Sequence, residues 1–181
     1  MAGTHLGANL NFLAISGSLR AVSSNTALLQ AAVQLAPEGV EITLYMALAD
    51  LPHFNPDLDG ESSPASVQEF RTLLRECNAV LISSPEYAHG VPGSLKNALD
   101  WIVRSGEFMY KPVALINASV SSTHAQASLT ETLTVMMARV HAVSIPLASN
   151  KIDVETILTD PDLCSVLRTT LMNLTTSSES E

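Results

Sequence analysis

Apolar and polar positions along this chain follow two alternating rhythms. Asn11-Phe12-Leu13-Ala14-Ile15-Ser16 is a short apolar run that predicts a strand. Thr26 to Ala36 is rich in alanine and leucine and predicts a helix ended by Pro37. Val40 to Leu44, reaching to Tyr45, alternates and predicts a second strand. Ser63-Pro64 offers an N-cap followed by proline at the first helical position. The helix it opens carries Val67, Phe70, Leu74 and Cys77 at i, i+3, i+7 and i+10. Ala79 to Ser83 is a third strand, and Leu95, Ala98, Leu99, Ile102 and Val103 mark one face of the next helix. Lys111 to Asn117 predicts strand four. Thr123 to Val140 predicts a helix with Leu129, Leu133, Met136, Met137 and Val140 inward, and Ala142 to Leu147 a fifth strand. Pro161 to Leu174 reads as a last helix and Thr175 to Glu181 as a frayed polar tail.

Strands alternating with helices require crossover connections, and right-handed crossovers place helices on both faces of a parallel sheet. The expected fold class is therefore α/β, a three-layer sandwich around a five-stranded parallel sheet. Period alone does not give the strand order; 2-1-3-4-5 is one of two common choices. The 181 residues fit a single domain spanning 1–181 with a substantial core.

Composition narrows the function classes. A hydrophobic content of 46% and a mean hydropathy of +0.24 oppose disorder. Apolar runs fall far short of the ~18–20 residues that cross a bilayer, so no membrane association is expected. Met1 to Gly7 shows neither a basic nor an apolar leader region, which points to the cytoplasm. The net charge of −9, from 9 basic and 18 acidic residues, opposes polyanion binding, so no nucleic-acid partner is expected. Cys77 and Cys164 form no CxxC pair and sit in apolar helical patterns, as buried structural thiols in a reducing compartment do.

Candidate chemistry lies in two loops. The first, Gly17 to Asn25, joins strand one to helix one. Backbone N–H groups at a helix start attract phosphate. Ser18, Ser23, Ser24 and Asn25 add neutral donors, Arg20 a charged fork, and Gly17 a close backbone approach. The pattern is neither GxGxxG nor GxxxxGK[ST], so a monophosphate fits better than a pyrophosphate. The alternative is an ordinary Ser/Asn-capped helix with a surface arginine. The second loop, Ser84 to Gly93, follows strand three. Pro85 and Pro92 stiffen it, Gly90 and Gly93 remove bulk, Tyr87 offers an aromatic face, and amides from Glu86 to Gly90 can meet ring heteroatoms. The alternative has Glu86 capping a turn and Tyr87 in the core. His89 is either a proton donor or a surface residue contributing backbone only. His53, His124 and His141 lack partners at ligand spacing, so no metal is expected, and no G-x-S-x-G elbow supports a hydrolase. Trp101 is read as a core or subunit contact, and Lys96 with Asp100 as a solvated helix pair.

Three segments together resemble the NAD(P)H-dependent FMN reductase family, which includes bacterial quinone, chromate and azo-dye reductases. Ile15 to Asn25 is similar to its GSLRxxSxN phosphate loop, Leu51-Pro52-His53-Phe54-Asn55-Pro56-Asp57 to its LPxFNxD loop, and Pro85 to Trp101 to its PEYNxSxPGxLKNAIDW segment. The resemblance implies a flavodoxin-like fold with sheet order 2-1-3-4-5. It implies Ser18, Arg20, Ser23 and Asn25 on the FMN phosphate. Pro85, Glu86, Tyr87, His89 and Gly90 would line the ribityl chain and isoalloxazine, with Ser119 in the loop after strand four. It implies FMN as cofactor, NADPH or NADH as co-substrate, and hydride transfer through the flavin to a quinone, azo, nitro, metal-oxyanion or free-flavin acceptor. No side chain need then serve as catalytic acid or base. A homodimer or homotetramer is implied as well. An electron carrier, or a relative with weakened flavin binding, is the alternative. The chain departs from the pattern in having Ala88 and Gly90 for asparagine and serine, and no glycine from Asn117 to Gln126.

Overall fold

The structure is a computed structural model that describes residues 9–60, 62–119, 122–145, 147 and 152–179. Five strands form one parallel sheet: β1 (Leu10–Ser16), β2 (Val40–Tyr45), β3 (Ala79–Ser83), β4 (Pro112–Asn117) and β5 (Arg139–Ser144), in the order β2-β1-β3-β4-β5. Among the described residues, α1 (Ser24–Gln34), α2 (Ala65–Glu76), α3 (Gly93–Asp100) and α4 (Thr123–Val135) connect successive strands, and α5 (Val154–Thr159) and α6 (Pro161–Ser178) follow β5. The expected sandwich and the 2-1-3-4-5 order are both present. No helix among the described residues is long and apolar enough to cross a membrane.

Strand alternation divides the core into two layers. Leu13, Ile15, Val80, Ile82, Val113 and Leu115 face α2, α3 and α4. Phe12, Ala14, Leu81, Ala114 and Ile116 face α1, α5 and α6. Trp101 is fully buried in the first layer, which makes it a core residue. Cys77 is buried too, and burial pushes its thiol pKa up despite Lys111 nearby, as expected of a structural cysteine. Cys164 is half-buried. Lys96 and Asp100 form the expected solvent-exposed i,i+4 pair at 2.6 Å.

Four boundaries differ from expectation. The helix expected to run to Val140 stops at Val135. Met137 (φ 62°) takes the left-handed position, with Met137 N–H on the Thr134 carbonyl at 2.9 Å and Ala138 N–H on that of Leu133 at 3.0 Å. This is a Schellman ending, usually marked by glycine. Strand β5 consequently starts at Arg139. Replacing Met137 with Gly is expected to raise stability by about 1 kcal/mol, the scale of left-handed strain in an L-residue; chemical denaturation midpoints of M137G measure it. The last helix continues through Thr175 to Ser178, so most of the expected tail is helical. The short helix α5, capped by Asp153, precedes it. Ser63 is not the cap of α2, whose N-cap is Pro64. Its hydroxyl instead donates to the Gly60 carbonyl at 2.7 Å and accepts from Arg71 Nη1 at 3.0 Å.

Arg71 lies under the loop between β2 and α2. Its Nη2 donates to Asp59 Oδ1 at 2.6 Å and to the Trp101 carbonyl, both partners of the pair being nearly buried. Arg104 holds the Asp59 carbonyl at 2.7 Å. Further along the same loop, Asn97 Nδ2 and Trp101 Nε1 both donate to the Pro52 carbonyl, at 2.9 and 2.8 Å, and Phe54 N–H donates to Asn97 Oδ1 at 2.7 Å. The Asn and Trp of the third motif therefore fasten the second motif to α3.

Candidate flavin-binding cleft

The carboxyl ends of β1, β3 and β4 open onto a cleft of about 400 Å³, within the ~300–1,000 Å³ usual for small-molecule sites. It lies at the point where the strand order reverses between β1 and β3, where open parallel sheets hold ligands. Ser18, Arg20, Ser23 and Asn25 line it from the first loop, Pro85, Glu86 and Tyr87 from the second, and Ser119 from the loop after β4. His89 and Gly90 lie in the turn beyond and do not line it. Ser84, Ser122 and Leu147 do, and were not among the expected residues. Ser84 was legible as a neighbour of Pro85. Leu147 arrives from beyond β5, through its N–H on the Ala118 carbonyl at 3.2 Å, and no local motif announces it.

The first loop is folded by its own serines. Ser16 Oγ shares a hydrogen bond with Thr26 Oγ1 at 2.8 Å and accepts from Ser18 N–H at 3.3 Å. Ser23 is the N-cap of α1, yet its side chain makes no capping hydrogen bond, and the first turn carries no acid. The leading N–H groups of a helix have no intrahelical acceptor. Asn25 Oδ1 accepts from Ser83 Oγ at 2.9 Å, so its acceptor end is engaged and its NH₂ end is left as donor. A helix start rich in donors, with an exposed Arg20 beside it, suits a phosphate dianion.

Gly17 is required for a reason other than approach to a ligand. A Cβ there would stand 2.5 Å from Ser84 Oγ and 2.9 Å from its Cβ, while the Gly17 N–H donates to the Ser83 carbonyl at 2.8 Å. The loops after β1 and β3 thus touch behind the cleft. Gly17→Ala is expected to destabilise the fold by about 1–3 kcal/mol, as overpacking does, read from urea unfolding.

The second loop departs from expectation in two ways. Glu86 does border the cleft, but its carboxylate accepts the Ala125 N–H of α4 at 2.8 Å. It acts as a remote cap for that helix, favoured by the positive N-terminal end. Two of the amides expected to face ring heteroatoms are engaged within the loop: Tyr87 N–H donates to the Gly90 carbonyl at 3.1 Å, and Gly90 N–H to that of Tyr87 at 2.9 Å. Ala88 (φ 48°) and His89 (φ 61°) occupy the two central positions of this turn, both left-handed. Asn-Gly is the favoured pair for such a turn, and an alanine there is strained. Tyr87 is half-exposed, and its side chain forms part of the cleft wall. After β4, the Asn117 side chain does some of the work glycine does elsewhere. Its Oδ1 accepts Ser119 N–H and its Nδ2 donates to the Ser122 carbonyl, each at 3.0 Å. Val120 and Ser121 of that loop lie outside the described residues.

A parallel sheet in the order 2-1-3-4-5, with helices on both faces and a cleft at its switch point, defines a flavodoxin-like protein. The profile of the family described as NADPH-dependent FMN reductase matches residues 10–153. An NAD(P)H-dependent FMN reductase of Pseudomonas aeruginosa is 39% identical over 130 residues, covering 69% of this chain and 70% of that protein. A quinone reductase of Escherichia coli is 33% identical over 114 residues, 61% of each chain, so the match spans under two thirds of that relative. Among solved structures, FerB, a flavoenzyme NAD(P)H:(acceptor) oxidoreductase from Paracoccus denitrificans, superposes with a TM-score of 0.75 at 27% identity over 94% of this chain and 97% of that one. The chain belongs to the NADPH-dependent FMN reductase family and is an FMN- and NAD(P)H-dependent oxidoreductase.

Proposed function

We propose that the cleft holds FMN with its phosphate on the loop after β1 and its ring system along the loop after β3, and that the protein reduces quinone-like small molecules with NAD(P)H. The observation that carries this reading is that Ser18, Arg20, Ser23 and Asn25 share one cavity with Pro85, Glu86, Tyr87 and Ser119. Bound FMN would supply the hydride chemistry that no side chain of the cleft can. Arg20 neutralises the phosphate and the helix start donates hydrogen bonds to it. Pro85 and Tyr87 present a stiff wall to a planar ring. Ala118 and Leu147 add apolar surface to its lining. The protein's part is position and electrostatics, so replacing any one cleft side chain acts first on binding.

We expect a cytoplasmic homodimer or homotetramer. Exposed Val103, Met109 and Tyr110, clustered after α3, support an apolar subunit contact. Sedimentation velocity decides it, and a monomer at micromolar concentration overturns it. For the activity, purified protein is mixed with FMN, its spectrum is recorded, and NAD(P)H oxidation is followed with and without a benzoquinone. A red-shifted, structured flavin band and quinone-dependent NAD(P)H consumption are expected. A flavin spectrum identical to that of free FMN refutes the reading. Flavin binding without any NAD(P)H oxidation makes the protein a carrier.

A further inference from the structure

The strained turn Tyr87–Gly90 has an outside support that the cleft chemistry does not use. The His89 and His124 rings stack with centroids 4.2 Å apart and planes inclined by 20°. His124 is the second residue of α4, and His89 sits at one of the turn's two left-handed positions. One residue further along α4, Ala125 N–H is held by Glu86. The rim of the cleft is therefore fastened to α4 twice, once by a carboxylate and once by an imidazole pair. Neither Ala88 nor His89 is the residue such a turn favours, so the stack adds an outside contact to the turn's own pair of backbone hydrogen bonds.

We propose that His124 is a positioning residue: by stacking on His89 it holds the Tyr87–Gly90 turn, and through it Tyr87, in the shape that receives the flavin, and it does so only while at least one of the two rings is uncharged. This rests on the reading of the cleft as the FMN site. Two imidazolium rings face to face at 4.2 Å repel, whereas a neutral pair stacks and a single cation over a neutral ring is attracted. The ionisable groups of the same loop are Glu86, whose carboxylate holds the N–H of Ala125 next to His124, and Tyr87, whose backbone closes the turn. Among the described residues no carboxylate is ion-paired with either ring. Acid that charges both rings therefore releases the turn.

The experiment uses the full chain and its His124→Phe and His124→Ala variants, with circular dichroism confirming that each is folded. FMN dissociation constants are measured by fluorescence quenching at about pH 8 and about pH 5, on either side of the range where imidazole changes charge. Wild type is expected to lose about five- to tenfold in affinity on acidification beyond any loss in His124→Phe, which keeps a flat ring and carries no charge. His124→Ala is expected to be weakened by a similar factor already at the higher pH. Equal pH dependence of wild type and His124→Phe, or an unweakened His124→Ala, overturns the proposal. A second measurement needs no flavin: nuclear Overhauser contacts between the two imidazoles are expected at the higher pH and lost at the lower. Their persistence in acid overturns the latch even where FMN binds. Absence of FMN binding at any pH overturns the cleft assignment, while the ring contacts still decide whether the turn is released by acid.

Discussion

Arg20→Ala is expected to weaken FMN binding by about 1.5–3 kcal/mol, roughly ten- to a hundredfold, the range for one charge-assisted hydrogen bond. Arg20 is solvent-exposed at the edge of the cleft, makes no ion pair among the described residues, and carries a charge opposite to that of the phosphate. Its removal should leave folding untouched, because its side chain makes no hydrogen bond or ion pair to another element among the described residues. The loss should shrink as salt is raised, since exposed charges are screened within about 8–10 Å at physiological ionic strength. Riboflavin, which lacks the phosphate, should bind both proteins equally. A dissociation constant for FMN unchanged in R20A, measured at low salt by fluorescence quenching, would show that the phosphate lies elsewhere.

Trp101→Ala is expected to cost about 3–5 kcal/mol, the range for truncating a fully buried aromatic side chain. The indole packs edge-on against Phe54 with centroids 5.1 Å apart, and its N–H holds the Pro52 carbonyl at 2.8 Å. Losing both leaves the core contact of Leu51 and the Asn97 hydrogen bonds to hold the segment from Leu51 to Asp57. Trp101→Phe separates the two contributions. It keeps most of the volume and drops the hydrogen bond, at about 1 kcal/mol. Urea unfolding monitored by circular dichroism measures both variants. Near-equal losses would mean that the hydrogen bond, not the packing, dominates. Because the cleft is built from other residues, flavin affinity in folded W101F should stay near that of wild type.

How far the sequence could be read depended on whether a feature was set locally. Strands β3 and β4 are buried throughout and β1 everywhere but Asn11, so hydropathy alone placed them. The two loops that face each other across the cleft were legible because proline, glycine and serine act on their own backbone. The end of α4 was not, since the left-handed residue there is Met137, and methionine carries no stop signal. Ser63 looked like a cap because Pro64 follows it, but Arg71, eight residues along, claims its hydroxyl. The role of Glu86 depended on α4, 39 residues away in the chain. His124 is isolated in sequence for the same reason, its partner His89 being brought to it by the fold. The motif residues Asn97 and Trp101 signalled the family correctly while serving the loop at Pro52 and not the cleft.

Where Gly17 meets Ser84, the two halves of the binding crevice lose their evolutionary independence. An alanine tolerated at 17 must wait for a glycine at 84, so the order in which such changes arrive decides whether an intermediate survives. Libraries that randomise the first loop alone will report position 17 as closed to every side chain. A paired Gly17→Ala, Ser84→Gly exchange recovers the space, and its double-mutant coupling should be large and favourable.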